Sequence, residues 1–214
     1  MMSKRPDNEQ VVVDCKHSQT EPSVEGMDTE QNLQFIRLLN HYRHDWMNEI
    51  QVLFGYVKLK KYDKLESLME KIRHKVQLES YISKLGAPNL IVYLLAYQTE
   101  VKEIALSIVM EQEIHLNELP ADSNRIYAIV RSVMETFKEN ARQGMDGEHV
   151  LKLHFIQEEE RLVMEFHYAG SVKESLLMQS LQKIRQVSGP LETWDVVQVK
   201  ENQAVVAIGL SLNT

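Results

Sequence analysis

His44 stands in the run RHDWMN (43–48), flanked by Arg43 and Asp45 and followed one helical turn later by Asn48. A neutral imidazole near pH 7 carries one ring nitrogen with a free lone pair, so it is a nucleophile that needs no separate activation. Asp45 can accept a hydrogen bond from the other ring nitrogen or contact a partner. Arg43 either pairs structurally or steadies anionic charge. Asn48 either orients a water or a partner, or is a solvated amide. Further along lies Gly55, and a glycine inside a helix costs about 1 kcal/mol relative to alanine. It marks either a bend or a lane on which another protein's backbone presses close.

These residues need a helix to position them. In residues 39–59 and just before, Ile36, Leu39, Met47, Ile50, Phe54 and Val57 recur at three-and-four spacing. At about 100° per residue they fall within roughly 60° of one direction, with Arg43 in the same stripe. His44 lies at about 80°, on the shoulder of the stripe, among His41, Asn48, Gln51, Val52, Gly55 and Leu59 at about 60° to 160°. Asp45, at about 180°, points away from the bundle. An exposed imidazole at one end of a smooth lane reads as a docking surface with a reactive group.

The chain has 214 residues, 43% apolar and 26% charged, the composition of an ordinary soluble globular protein. A net charge of −7 argues against general nucleic-acid binding. Residues 37–64 nevertheless carry six basic side chains against three acidic ones, which suits a locally acidic partner. The single cysteine, Cys15, excludes an internal disulfide framework. No apolar run spans a bilayer and VVV is too short for a signal peptide, so a cytoplasmic protein without membrane contact is expected.

Residues 1–28 are polar and irregular and read as a disordered tail. Asp28 or Thr29 caps a first helix over 30–59. After a turn at 60–62, with Asp63 as cap, a second helix carries Leu65, Leu68, Met69, Ile72, Val76, Ile82 and Leu85 and stops at Gly86, Ala87 and Pro88. The hairpin, 29–86, leaves apolar stripes that two helices cannot cover. Dimerisation into a four-helix bundle is the economical solution, and packing on the C-terminal half competes with it. From residue 87 to 214 a second domain is expected: a helix from Asn89, a strand at 106–112, and a helix from Asp122 or Ser123 that fades at 141–144. Strands at 149–156 and 161–168, a helix at 173–187 and a last hairpin at 193–200 and 203–210 complete it. The fold class is α+β, with a helical hairpin followed by an α/β two-layer sandwich.

RHDWMN (43–48) together with GYVKLKKYDKL (55–65) resembles the phosphoacceptor helix and turn of the sporulation initiation phosphotransferase B family. It is also similar to the related helices of citrate- and dicarboxylate-sensing histidine kinases, where H-[DE]-x-x-N recurs. The resemblance implies that His44 is phosphorylated, with Arg43, Asp45 and Asn48 in support. It places Asn48, Gln51, Gly55 and Leu59 on the surface where a receiver domain docks. Val52 shares that lane, and Tyr56 replaces a small polar residue expected there. Relatives dimerise through the hairpin and relay phosphoryl groups between aspartates of two response regulators, a single-domain receiver and the receiver of a sporulation transcription factor. No cofactor of its own is implied, and magnesium belongs to the receiver's aspartate pocket.

VMETFKENARQG (133–144) resembles the helix of kinase ATP-binding domains that carries a magnesium-binding asparagine, with Asn140 at the matching position. Where that fold needs an Asp-x-Gly-x-Gly loop the chain has HYAGSVKE (167–174). VSGPLETW (187–194) has one glycine where several are wanted to cradle phosphates. The sandwich therefore reads as a degenerate kinase-like domain that supports the hairpin. An ATP-dependent histidine kinase and a non-catalytic adaptor for receivers are the alternatives. A zinc site at His41, His44 and His74 is disfavoured, because the nearby carboxylates, Asp45 and Glu49, point elsewhere.

Overall fold

A computed structural model describes residues 24–142, 149–187, 189 and 192–212. Most of the expected tail, with Cys15 and VVV, lies outside the described residues, as do 143–144, where the helix from Asp122 or Ser123 was expected to fade. The chain divides into two compact units, Met1–Arg37 and Leu38–Thr214. In the described part of the first, Leu33, Phe35 and Ile36 are exposed, and Arg37 lies 3.8 Å from Glu30 on the surface.

Helix α1 spans Val24–Lys58, so it begins ahead of the expected Asp28/Thr29 cap and includes residues read as tail. It ends in a Schellman turn: Lys61 N donates to the Tyr56 carbonyl and Lys60 N to that of Val57. Lys60 takes the left-handed conformation there, with φ 55, where glycine is the usual residue. Helix α2 spans Tyr62–Ser83 and its N-cap is Lys61, which makes no side-chain bond. Asp63 thus sits in the first turn, where it favours the helix dipole, and is not the cap.

A half-buried lane of α1, comprising Tyr42, Asp45, Trp46, Glu49, Leu53 and Tyr56, turns towards α2. Its counterpart on α2 is Leu65, Leu68, Ile72, Lys75 and Glu79. Lys75 joins them, with Nζ 2.8 Å from Glu49 Oε1 and 5.9 Å from the centre of the Trp46 ring. The stripe expected to be the helix's buried face, including Leu39, Met47, Ile50, Phe54 and Val57, is exposed in the single chain. The foot of α2 enters the sandwich: Ile82 is buried and Leu78 and Tyr81 pack against the core, with Leu85, just past the helix, buried beside them.

The junction is tightly made. Leu116 N donates to the Leu85 carbonyl at 2.9 Å, Lys84 Nζ reaches Glu113 at 2.7 Å, and His115 Nδ1 lies 3.1 Å from the Lys84 carbonyl. Gly86 has φ +69, and a Cβ there would meet Asn117 Oδ1 at 1.7 Å. α2 therefore stops three residues before Gly86, and Leu85 belongs to the junction. Helix α3 spans Pro88–Glu100 with proline in its first turn, and Ala87 is its N-cap in place of the expected Asn89.

The rest is an α/β two-layer sandwich, so the class is α+β. Helix α4 spans Ser123–Asn140, and its N-cap Asp122 accepts from Asn124 N, as its sequence suggests. Ile126, Ile129, Val130, Val133, Met134 and Phe137 form one buried face at helical spacing. Helix α5 spans Glu174–Gln186. The strands are β1 (Ile104–Val109), β2 (His149–Gln157), β3 (Arg161–Ala169), β4 (Glu192–Lys200) and β5 (Gln203–Ser211). They are ordered β1-β2-β3-β5-β4, with β1 parallel to β2 and the other pairs antiparallel. Alternation places Leu151, Leu153 and Phe155, Leu162, Met164 and Phe166, and Val206 and Ile208 in the core. No helix among the described residues is long and apolar enough to cross a membrane.

Candidate functional site

Three lanes divide α1 from Leu38 onwards. One faces α2, the apolar stripe lies beside it, and the third carries His44, Asn48, Gln51, Val52 and Leu59, all exposed. The His44 side chain is 72% exposed. A ring on the shoulder of a helix, clear of any core, is free to meet a visiting group from solvent.

Among the described residues, only one edge of that ring is engaged. His44 Nδ1 lies 3.4 Å from Asp45 Oδ1 and 3.2 Å from Asn48 Nδ2. The two neighbours ask for opposite tautomers. Asp45 can only accept, so it needs the proton on Nδ1, whereas an Asn48 N–H needs the lone pair there. A hydrogen bond to a charged acceptor contributes roughly 1.5–3 kcal/mol against about 1 for a neutral one, which favours Asp45. A proton on Nδ1 would leave the lone pair on the outward Nε2.

Asp45 does not point away from the hairpin. It is half-buried in the lane that faces α2, and its second oxygen, Oδ2, lies 3.2 Å from His41 Nε2. One carboxylate thus bridges two imidazoles, the exposed His44 and the one-third-exposed His41. The sequence spacing contained this signal, since 41 and 45 are one helical turn apart. Glu49 likewise turns to Lys75 on α2 and away from the histidines.

Charge is concentrated behind the site. Burial alone would lower the Lys75 pKa, but its hydrogen bond to Glu49 and the charges of Glu49, Glu79 and Asp45 outweigh that and raise it. Burial pushes the Tyr42 hydroxyl up to about 12, with Glu79 and Asp45 adding to the effect. Tyr42 therefore stays protonated and acts as a neutral neighbour.

The remaining site residues divide plainly. Arg43 is exposed and its guanidinium donates to Asn40 Oδ1 at 3.0 Å, one turn back along its own helix. Gly55 is half-buried, and a Cβ built there meets nothing within 4 Å. No packing among the described residues requires a glycine at that point. Tyr56 is half-buried in the α2-facing lane, apart from the exposed Gln51, Val52 and Leu59.

In the sandwich, Asn140 is buried and its side-chain amide donates to the Thr136 carbonyl at 2.8 Å. Its own carbonyl accepts from Lys173 N. The asparagine that resembles a magnesium ligand is thus held within its helix.

Comparison with known proteins shows what the chain is similar to. Residues 25–85 match the SpoOB-type sensor kinase alpha-helical domain. The chain is 24% identical over 185 residues to the sporulation initiation phosphotransferase B of Bacillus subtilis (strain 168), covering 86% of this chain and 93% of that protein. Among solved structures it is similar to the Acinetobacter baumannii histidine kinase AdeS, with 12% identity over 80% of this chain and 98% of the other, at a TM-score of 0.42. A histidine kinase from Burkholderia phymatum STM815 gives 11% identity over 90% and 100%, at a TM-score of 0.40.

Proposed function

We propose, from the likeness of its helical hairpin to the SpoOB-type sensor kinase alpha-helical domain, that this chain is a phosphorelay histidine phosphotransferase acting in the initiation of sporulation. It accepts a phosphoryl group from the aspartyl phosphate of a single-domain receiver onto His44 and hands it to the aspartate of a transcription factor's receiver. The observation that carries this reading is the exposed His44 ring, met at Nδ1 by Asp45 and Asn48 and at Nε2 by no partner among the described residues.

The transfer needs little from the chain beyond position. The Nε2 lone pair attacks phosphorus in line, the N–P bond forms, and the bond from phosphorus to the receiver's carboxylate oxygen breaks. The carboxylate leaves with the electron pair, and no proton has to move. Positive charge develops on the ring as the bond forms, and the Asp45 carboxylate beside Nδ1 stabilises it. The second transfer is the reverse of the first onto another aspartate. Magnesium enters with the receiver.

The docking lane of this proposal is Asn48, Gln51, Val52, Gly55 and Leu59, exposed apart from the open glycine. Tyr56 lies at its margin. The exposed apolar stripe is covered by a second copy in a four-helix bundle.

The test supplies a receiver carrying labelled phosphoryl-aspartate to the purified chain, without ATP. Acid-labile, base-stable label is expected on the chain and is expected to be absent from His44→Gln. A labelled His44→Gln protein would end the proposal. Labelling from ATP alone would instead mark a kinase.

A further inference from the structure

We infer that His41 is a positioning residue for His44, acting through the carboxylate that the two share. This rests on the reading of His44 as the phosphoacceptor.

The geometry is asymmetric in a useful way. His41 is 33% exposed and His44 72% exposed, and Asp45 lies between them at 40%. His41 Nε2 faces Asp45 Oδ2 at 3.2 Å, and His44 Nδ1 faces Asp45 Oδ1 at 3.4 Å. A free imidazole side chain prefers its proton on Nε2. In that preferred form the N–H of His41 is on the nitrogen that faces Asp45, so His41 is the natural anchor. His44 must take the less favoured form, with the proton on Nδ1, to present a lone pair at Nε2.

Without help this contest is close. Asn48 Nδ2 stands 3.2 Å from the same Nδ1 and, donating, would favour the unreactive tautomer. Asp45 has other charges to answer to on α2, those of Lys75 and Glu79. A carboxylate on a rotatable side chain, half in water, is free to turn from His44 towards Lys75. The His41 bond fixes its second oxygen and so fixes which way the first one points. His41 touches neither the phosphorus nor the receiver in this scheme, and its effect is on the tautomer of its neighbour.

The experiment reads that tautomer directly. Long-range proton–nitrogen correlation spectra of the nitrogen-labelled full chain report which His44 nitrogen carries the proton. Wild type is expected to show the Nδ1–H form. His41→Phe is expected to shift His44 towards Nε2–H and to slow labelling from a phosphorylated receiver by about tenfold or more. His41→Gln keeps an N–H donor for Asp45 but cannot titrate, and is expected to restore both. Unchanged His44 resonances in a folded His41→Phe protein would overturn the inference, as would a loss that His41→Gln fails to rescue. The spectra are informative even if no phosphoryl group is ever transferred, so failure of the relay and failure of the positioning role are separable.

Discussion

Lys75 Nζ and Glu49 Oε1 are 2.8 Å apart, an ion pair that ties the two arms of the hairpin together with both side chains mostly out of solvent. Glu79, one turn along α2, shares that neighbourhood without the direct bond. Burial raises its pKa above 4.5, and the charges of Glu49 and Asp45 raise it further, against the opposing pull of Lys75. The folded chain therefore holds the Glu79 proton more tightly than the unfolded chain does. Its contribution is favourable below the ordinary pKa and is lost as pH rises through the elevated one. Glu79→Gln is expected to raise Tm at pH 7 and to give no gain at pH 4. A variant that melts lower at pH 7 would show that attraction to Lys75 outweighs burial.

Lys60 closes α1 in a conformation that carries a Cβ penalty, with φ 55 in the Schellman position. Relieving it with glycine is worth roughly 1 kcal/mol. For a chain of this size that is a rise of about 2–4 °C in Tm. Lys60→Gly is expected to show it in a thermal melt, and Lys61→Gly, one position on, is not. Equal effects from both would remove the left-handed backbone as the cause.

Much of this architecture was legible in the sequence, and the exceptions have physical causes. The strand pairs and α4 were readable because their patterns are strong: alternation over residues 149–156 and 161–168, and a buried face of α4 led by an aspartate cap. Helix ends were less readable. Lys61 and Ala87 cap α2 and α3 without any side-chain bond, so the better capping residues nearby, Asp63 and Asn89, were the wrong guide. At the site, His44 and its exposed lane follow from periodicity. The spacing puts Asp45 one turn from His41, but that the same carboxylate also reaches the adjacent His44 depends on side-chain rotamers that ideal angles do not supply.

Gly55 separates two explanations that periodicity alone could not. A Cβ there meets nothing within 4 Å, so replacing the glycine removes a helix penalty of about 1 kcal/mol with no steric cost in the chain. Gly55→Arg is expected to keep or raise Tm while abolishing receiver binding, through bulk and charge on the docking lane. Titration of the variant against an unphosphorylated receiver, with Gly55→Ala as the mild control, checks it. Wild-type affinity in Gly55→Arg would return the glycine to a role within the helix.

The exposed stripe makes the oligomeric state a matter of area. Leu39, Met47, Ile50, Phe54 and Val57 are 52%, 50%, 37%, 63% and 48% exposed in the single chain, and Met69 and Val76 of α2 add 52% and 43%. Burying the remaining half of each side chain is worth roughly 1 kcal/mol apiece, doubled across a two-fold interface. That sum exceeds what a surface helix ordinarily leaves to water. A second copy offers the same stripe in return, which is why an isologous bundle suits it better than an unrelated partner. Phe54→Glu places a carboxylate in the middle of that interface in both copies, unpaired and cut off from water. Light scattering is expected to give a dimer for wild type and a monomer for Phe54→Glu, with the sandwich still folded by circular dichroism. A wild-type monomer at micromolar concentration would leave the stripe for the receiver to cover, and a Phe54→Glu dimer would move the interface elsewhere.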